Sequence, residues 1–193
     1  MYNEHMKSKS GFTIVELLIV IVVIGILAAI TIVAFNGIQK RAQDAQIRST
    51  ASQFTKAFQR WSVESGKTTS PGGSSSTALS NGVCVGGGGG WVLSSSGYTC
   101  TTDDILKADG YIPNSLMSSV PNTQANRPGS YSTFMLYGCP TSATTTRYAM
   151  MYALHSPDTQ EISNIRSTCA GGGTYGPIDT YGMNGGYVFS LSY

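Results

Sequence analysis

The stretch Gly11-Phe12-Thr13-Ile14-Val15-Glu16 opens an apolar run that continues to Phe35 and constrains how the rest of the chain folds. Between residues 12 and 35 the run is interrupted only by two threonines, one glutamate and one glycine. As a helix with 1.5 Å of rise per residue, it would cover about 36 Å, enough to cross a bilayer core of about 30 Å. The run therefore predicts a membrane-spanning helix.

Three other interpretations of this run fit less well. A secretory signal peptide also has a basic start, here Lys7 and Lys9, but its apolar segment is shorter and ends at a small-residue cleavage site. Residues 33–37 offer only a poor site of that kind. A plain membrane anchor would not carry a carboxylate at the start of its apolar run without cause. A buried soluble helix would be unusually long and apolar on all faces.

Glu16 is the most informative residue of the run. An ionisable group in a membrane span costs at least a few kcal/mol, about 2.5–3.5 on insertion scales, and calls for a partner. If the chain is cut after Gly11, the new α-amino group of Phe12 is a cation four residues before Glu16. The two groups would lie one turn apart in one helix, or would meet between subunits staggered along a filament. Either pairing offsets the cost of burying a lone charge.

The basic leader, Gly11, Phe12 and the apolar run behind Glu16 closely resemble the cleavage and assembly motif of type IV prepilins and pseudopilins. In that family, Glu is the fifth residue of the processed chain. A membrane aspartyl peptidase cuts after the glycine and N-methylates the new terminal residue. The resemblance implies cleavage between Gly11 and Phe12, methylation of Phe12, and assembly through a charge pair of Phe12 with Glu16. Many members carry proline where this chain has Val33, so we expect a straighter helix here.

The resemblance also implies a location and partners. The precursor would cross the cytoplasmic membrane once with its N-terminus inside, and the mature chain would then enter an extracellular pilus filament. Its expected partners are other pilin subunits in a homopolymer, the prepilin peptidase, the inner-membrane assembly machinery and the lipid bilayer. The positive-inside count is nearly balanced, because Lys40 and Arg41 lie close to the other membrane edge. The cysteines and the resemblance place the head outside.

Beyond Phe35 the helix is predicted to continue as an amphipathic one. Apolar residues spaced 4, 3, 4 and 3 positions apart form one face: Ile47, Ala51, Phe54, Phe58 and Trp61. Ion pairs Lys40–Asp44 and Asp44–Arg48 are expected on the exposed side, and Gly66 is the predicted stop near Ser65. The predicted divisions are a leader at 1–11, a transmembrane or filament-core helix at 12–35, an amphipathic helix at 36–66 and a globular head at 67–193.

The head is predicted to be a small antiparallel sheet of three to five strands packed on the amphipathic half of the helix. The fold class is therefore α+β and pilin-like. Strand candidates are residues 132–137, 147–154 and 187–193, with 161–168 as a weaker fourth. Residues 101–110 predict a short capped helix, and residues 171–186 a loop. The glycine run at 86–90 lacks the Lys and Ser/Thr of a phosphate-binding loop and predicts a flexible or turning loop.

The four cysteines, Cys84, Cys100, Cys139 and Cys169, predict two disulfides in a head outside the membrane. Three connectivities are possible, and local loop closure favours Cys84–Cys100 with Cys139–Cys169. No C-x-x-C spacing occurs and the chain has only two histidines, so no zinc site is expected. Carboxylates at 103, 104 and 109 could ligate calcium, as in some pseudopilin heads, but their spacing favours helix capping. We expect no metal or cofactor.

No catalytic constellation is evident, so we expect no enzyme activity. G-x-S-x-G is absent, and His155 is expected at a strand end or in a loop rather than as a general base. A net charge of +2 with scattered Lys and Arg gives no basis for predicting DNA binding. The expected function is a structural subunit of a type IV pilus, serving surface motility, adhesion or DNA uptake. The alternatives are a minor pilin or pseudopilin of a secretion or competence system, or a non-assembling membrane-anchored adhesin.

Overall fold

The structure is a computed structural model that describes residues 11–66, 92, 102–117, 119–120, 133–139 and 147–191. The chain divides into two compact units, with the division between Gln39 and Lys40 in the sequence. Its elements are α1 (Ile14–Ser65), α2 (Thr102–Ala108), β1 (Phe134–Gly138), β2 (Arg147–Tyr152), α3 (Thr159–Ala170), α4 (Gly176–Asp179) and β3 (Gly185–Ser190). The long helix α1 and the small antiparallel sheet confirm the predicted α+β architecture.

The first unit holds the apolar part of α1. Every side chain that the structure describes from residue 11 to 39 is exposed, including large ones such as Ile24 and Phe35. Helix α1 is long and apolar enough to cross a membrane, judged by its length and composition. It begins at Ile14 rather than at the predicted Phe12. So many exposed hydrophobic side chains are unfavourable in water, so we expect lipid or other protein chains to cover them.

The second unit contains the amphipathic part of α1, and the predicted stripe is confirmed. Its five members are between 0% and 1% exposed: Ile47, Ala51, Phe54, Phe58 and Trp61. The helix ends at Ser65, and Gly66 follows with a φ of 65°. Glycine enters this left-handed region without a steric cost, which explains why the helix stops at the predicted residue.

The sheet has the strand order β1-β2-β3, and both pairings are antiparallel. Phe134 lies opposite Tyr152, and Arg147 lies opposite Ser190. Because side chains alternate along a strand, the two faces bury different sets of residues. Phe134, Leu136, Tyr148, Met150 and Tyr152 join the α1 stripe in one apolar cluster. Met135, Ala149 and Met151 join α3 and Tyr175 in a second cluster. Within this unit the sheet is therefore the middle of three layers.

The weaker fourth strand prediction, residues 161–168, is wrong, because this segment lies within helix α3. Asp158 caps the helix by accepting hydrogen bonds from the backbone N–H groups of Gln160 and Glu161. Gly171 ends it with a φ of 58°. The two buried apolar residues, Ile165 and Cys169, are four positions apart, the spacing of a helix face rather than of a strand. The local caps and this spacing determine the helical structure.

The loop predicted for residues 171–186 is only partly observed. It contains the one-turn helix α4, which has Pro177 in its first turn, and it ends in the first residues of β3. The predicted short helix near residue 105 is present as α2, and Gly110 follows it with a φ of 77°. The other three strand predictions, residues 132–137, 147–154 and 187–193, overlap β1, β2 and β3, but at least one end of each strand differs from the predicted one by one or more residues.

A disulfide joins Cys139, just after β1, to Cys169 in the last turn of α3. The two cysteines are 30 positions apart, and the pair is one of the two that local loop closure predicts. Cys84 and Cys100 lie outside the described residues. Since α3 covers one face of the sheet, the bond ties that layer covalently to the sheet's edge.

Gly186 gives a direct test of how closely β3 approaches β2. Its φ is 150°, and a β-carbon there would lie 2.4 Å from the Met150 carbonyl oxygen. Gly186→Ala should lower the free energy of unfolding by about 2–3 kcal/mol, because the β3 backbone must move away from β2. Gly176→Ala is the matched control, since a β-carbon there meets no atom within 4 Å. Denaturant unfolding in detergent measures both, and equal stabilities would contradict the prediction.

Candidate functional site

The predicted cleavage point lies just ahead of α1. Gly11, Phe12 and Thr13 have no regular secondary structure and are exposed, Phe12 with 82% of its surface accessible. A β-carbon on Gly11 would meet no atom within 4 Å. A peptidase must bind the scissile segment outside a helix, and the bond between Gly11 and Phe12 satisfies that condition.

The Glu16 carboxylate accepts hydrogen bonds from Thr13, the residue just before the first turn of its own helix. Its Oε2 accepts hydrogen bonds from the Thr13 backbone N–H at 2.9 Å and from the Thr13 hydroxyl at 2.7 Å. In return the Glu16 N–H donates to Thr13 Oγ1 at 3.3 Å. This reciprocal arrangement is a capping box, which satisfies backbone donors that the first turn of a helix leaves unpaired. The Thr-x-x-Glu spacing in the sequence is the signal from which this cap could have been predicted.

The capping box changes the account of how the Glu16 charge would be stabilised inside a membrane. In a single chain the carboxylate already has two donors, so its entry into a membrane does not depend on the Phe12 amine. The chain in the structure retains Gly11, so the Phe12 nitrogen is an amide and the charge pair of Phe12 with Glu16 stays a prediction. After cleavage the new amine would lie next to Thr13, within reach of the same carboxylate in one chain or in a neighbour.

A second polar cluster lies in the second unit, where the connection between β2 and α3 meets α1. Asp44 is buried, with 5% of its surface exposed. Its Oδ1 accepts the His155 backbone N–H at 2.8 Å and lies 3.0 Å from His155 Nδ1, and its Oδ2 accepts the Ser156 N–H at 3.1 Å. Burial acts to raise the pKa of Asp44, but these hydrogen bonds outweigh it and hold the pKa below its ordinary value.

Arg48, one turn further along α1, bonds to the start of α3. Its Nη2 lies 2.9 Å from Asp158 Oδ2 and its Nε lies 3.1 Å from Glu161 Oε1. The other oxygen of Glu161 accepts hydrogen bonds from the Tyr152 hydroxyl at 3.0 Å and the Gly186 N–H at 2.8 Å. Asp44 and Arg48, which we call the α1 clamp, therefore connect the helix to the β2–α3 connection, to α3 and to two strands.

The clamp corrects one prediction. Neither the Lys40–Asp44 nor the Asp44–Arg48 ion pair forms among the described residues, because Asp44 turns into the head and Arg48 reaches α3. The sequence spacing was right for such pairs, but buried hydrogen bonds to a distant loop are stronger than exposed pairs along a helix. His155 lies in the connection after β2, as predicted.

The acidic residues near α2 have other partners. Asp103 is buried and pairs with Lys107, and Asp109 accepts a hydrogen bond from Trp61 Nε1 at 2.9 Å. Burial, opposed by Lys107, raises the pKa of Asp103. Over the described part of the chain, no three His, Cys, Asp or Glu side chains lie close enough to hold a metal ion.

The pKa shift of Asp44 gives the stability a defined pH dependence. A carboxyl with a depressed folded-state pKa stabilises the fold above its unfolded pKa of about 3.9, and this stabilisation is lost as pH falls through the folded pKa. Asp44→Asn should lower the free energy of unfolding at pH 7 by about 1–3 kcal/mol and make its decline below pH 4 shallower. Urea unfolding in detergent at several pH values tests this. A variant with the parent's pH profile would contradict it.

Comparison with known proteins adds one match at the N-terminus. Residues 6–32 match the family model described as the prokaryotic N-terminal methylation motif. This segment contains Gly11, Phe12 and Glu16 together with most of the apolar run. No solved structure matches the chain. The chain therefore carries, at its N-terminus, the signature of type IV prepilins and pseudopilins.

Proposed function

We propose that this chain is a structural subunit of a type IV pilus or a pilus-like filament, processed by prepilin peptidase and assembled through its N-terminal helix. The observation that carries the proposal is the methylation motif at residues 6–32, set on a helix able to cross a membrane. The mechanism is assembly rather than catalysis. The bond to be cleaved is accessible, and the apolar helix supplies the surface for packing between subunits. The folded head packs on the amphipathic half of α1.

Exposure of the apolar helix supports assembly. Side chains such as Ile19, Val23 and Leu27 are about half exposed in a single chain. Lipid covers them in the precursor, and neighbouring helices of the same kind can cover them in a filament. Because lipid is as apolar as these side chains, burial alone gives little preference for the filament over the membrane. A polar interaction that differs between the two states is needed, and Glu16 provides it.

Glu16 has two possible sets of partners, and the switch between them is the proposed assembly step. In the membrane-resident subunit the Thr13 donors satisfy the carboxylate. Cleavage creates a cationic amine on Phe12 that needs an anion in a low-dielectric surrounding. A growing filament can supply that anion from the Glu16 of a neighbouring subunit. Misplaced subunits would leave the amine or the carboxylate unpaired, so the pair would also set the axial register.

A scarce minor pilin or a pseudopilin is the second candidate, because the motif is common to these classes. The amount of the protein in filaments distinguishes a major subunit from a minor pilin or a pseudopilin. A major subunit dominates filaments sheared from the cell surface, whereas a minor one is present at a small fraction. Mass spectrometry combined with electron microscopy of sheared filaments makes the distinction. A membrane-anchored adhesin would be processed and would remain with the cells.

Processing can be tested by itself. The mature protein should begin at Phe12 with an N-methylated amine, and Gly11→Val should block the cut. The chain itself has room for the larger side chain, so the effect would come from a branched group beside the scissile bond, where the peptidase must bind. Intact-mass and N-terminal peptide measurements on filament-derived protein check both. Ser10→Ala is the matched control for a change next to the site, and it should be cut normally. Filament protein that still carries residues 1–10 would rule out the proposed processing.

Glu16→Gln separates the two roles of the carboxylate. Glutamine can still accept hydrogen bonds in a capping box, but it carries no charge for the Phe12 amine. We expect Glu16→Gln and Glu16→Ala to remain in the membrane and to give few or no filaments. Filament counts by electron microscopy, in a strain without the parent subunit, measure the effect.

Thr13→Val is the companion variant, because it removes the hydroxyl donor and leaves the charge in place. If charge pairing drives assembly, this variant should keep more filaments than Glu16→Gln. If Glu16→Gln assembles normally while Thr13→Val fails, the carboxylate acts only as a helix cap and the proposed pairing is wrong.

A further inference from the structure

In the described part of the chain, the carboxylates all have partners, whereas some of the cations do not form ion pairs. Its carboxylates, from Glu16 to Asp179, each have a hydrogen-bond, ion-pair or electrostatic partner within the chain. Four of the cations in the same residues make no ion pair there: Lys40, Arg41, Lys56 and Arg147. These four are exposed. Among the described residues, the charged groups without an ion-pair or hydrogen-bond partner are therefore cations.

Two of these cations occupy an unusual position. Lys40 and Arg41 are adjacent and follow Phe35, the end of the apolar run, by five and six residues of helix. Less than two turns separate them from the predicted span, which places them among the lipid headgroups. The positive-inside rule disfavours cations on the outer flank of a span. Anionic headgroups that bind them would explain why they are tolerated there.

A cleft beside Arg41 has room for a headgroup. Its volume is about 480 Å³, and it is lined by Arg41, Ala45, Ser156, Pro157 and Asp158 together with the α1 clamp. Both residues of the α1 clamp already have partners. Asp44 accepts hydrogen bonds from His155 and Ser156, and Arg48 pairs with Asp158 and Glu161. Arg41 is therefore the charged group of the cleft that remains able to bind an anion. A planar guanidinium binds a phosphate through two parallel hydrogen bonds. Lys40 does not line the cleft, but its ammonium adds a second positive charge to the same turn of the helix.

We propose that Lys40 and Arg41 bind the phosphate of an anionic phospholipid in the membrane leaflet nearest the head. This inference rests on the orientation in the proposed function, with the N-terminus inside and the head outside. The bound lipid would fix the depth of the subunit in the membrane and would have to be released when the subunit enters a filament. Lipid composition would thereby influence how readily subunits leave the membrane.

A second copy of this chain is a poorer occupant of the same surface. An acidic group would be needed to pair with Arg41, and the described carboxylates already have partners in their own chain. Breaking such a partnership, for example that of Asp179 with Arg166, would cost what the new pair gains. Phospholipid is present at high local concentration beside this segment and brings an uncommitted negative charge.

The test uses the full, uncut chain in phosphatidylcholine vesicles, with spin-labelled phosphatidylglycerol or spin-labelled phosphatidylcholine as the probe. Electron paramagnetic resonance measures the fraction of each probe that the protein immobilises. The chain should prefer phosphatidylglycerol, and Lys40→Gln with Arg41→Gln should reduce the preference roughly fivefold for each cation removed. The charge-retaining exchange Lys40→Arg with Arg41→Lys should keep most of it. Mapping of the Cys139–Cys169 linkage verifies that each variant is folded.

Lys56→Gln with Arg147→Gln is the matched control, since it removes the same charge from two other exposed, unpaired cations. It should leave the preference unchanged. The proposal is overturned if the control loses as much as the test pair, if the parent does not distinguish the two lipids, or if the test pair keeps its preference. Competition by inorganic phosphate beyond that of chloride at equal ionic strength would indicate a soluble-anion site instead. Because the vesicles need neither cleavage nor filaments, failure here is distinct from failure of the proposed function.

Discussion

A carboxylate in hydrocarbon must have a partner, and the position of Glu16 near the start of a membrane-length helix makes this the constraint on which the rest of the molecule depends. Local hydrogen bonds from Thr13 solve the problem for a single chain. They do so with groups that any helix start must satisfy in some way, so the solution needs no residue outside the first turn. Because the cap is local, the same carboxylate remains available to a stronger, charged partner when one appears. A group held only by neutral donors is well suited to such an exchange.

Helix α1 faces a different problem in the second unit, where it must fix a folded head along one side. Its apolar stripe supplies the driving force, but apolar contacts are non-directional and specify the angle and register of packing poorly. Asp44 and Arg48 add direction, because each bonds to backbone or carboxylate groups at fixed positions in the β2–α3 connection and α3. Glu161 extends the network to Tyr152 and Gly186, and so to two strands. Polar contacts thus set where the helix lies on the sheet, and the apolar stripe holds it there.

The parts of the fold that could be predicted are those whose signal repeats along the sequence. The stripe from Ile47 to Trp61 and the three strands show their periods directly, and Gly66 and Gly110 mark helix ends by their own chemistry. Helix α3 was missed because its apolar residues are few and its start is encoded in a cap, Asp158 with Glu161, rather than in a period. The contacts of the α1 clamp could not be predicted from the sequence, because Asp44 and His155 are 111 positions apart and only the folded chain brings them together. At the candidate site, Gly11, Phe12 and Glu16 were selected from their motif, and their roles in cleavage and pairing stay predictions. The hydrogen bonds of Thr13 with Glu16 were not predicted, although the Thr-x-x-Glu spacing indicates them.

The pairing of carboxylates inside the chain has a consequence for filament formation. Subunits packed side by side bring their heads close together, and unpaired charges of one sign on every copy would repel one another. Here each described carboxylate has a partner within its own chain. Four exposed cations make no ion pair in the described residues, but the chain as a whole has a net charge of only +2. Charged residues make up only 11% of the sequence, so few groups need hydration when surfaces approach. Low surface charge is a risk for a free soluble protein, because it favours association. In the proposed function, the subunit stays in the membrane until it assembles, and there the same property would favour close packing of heads.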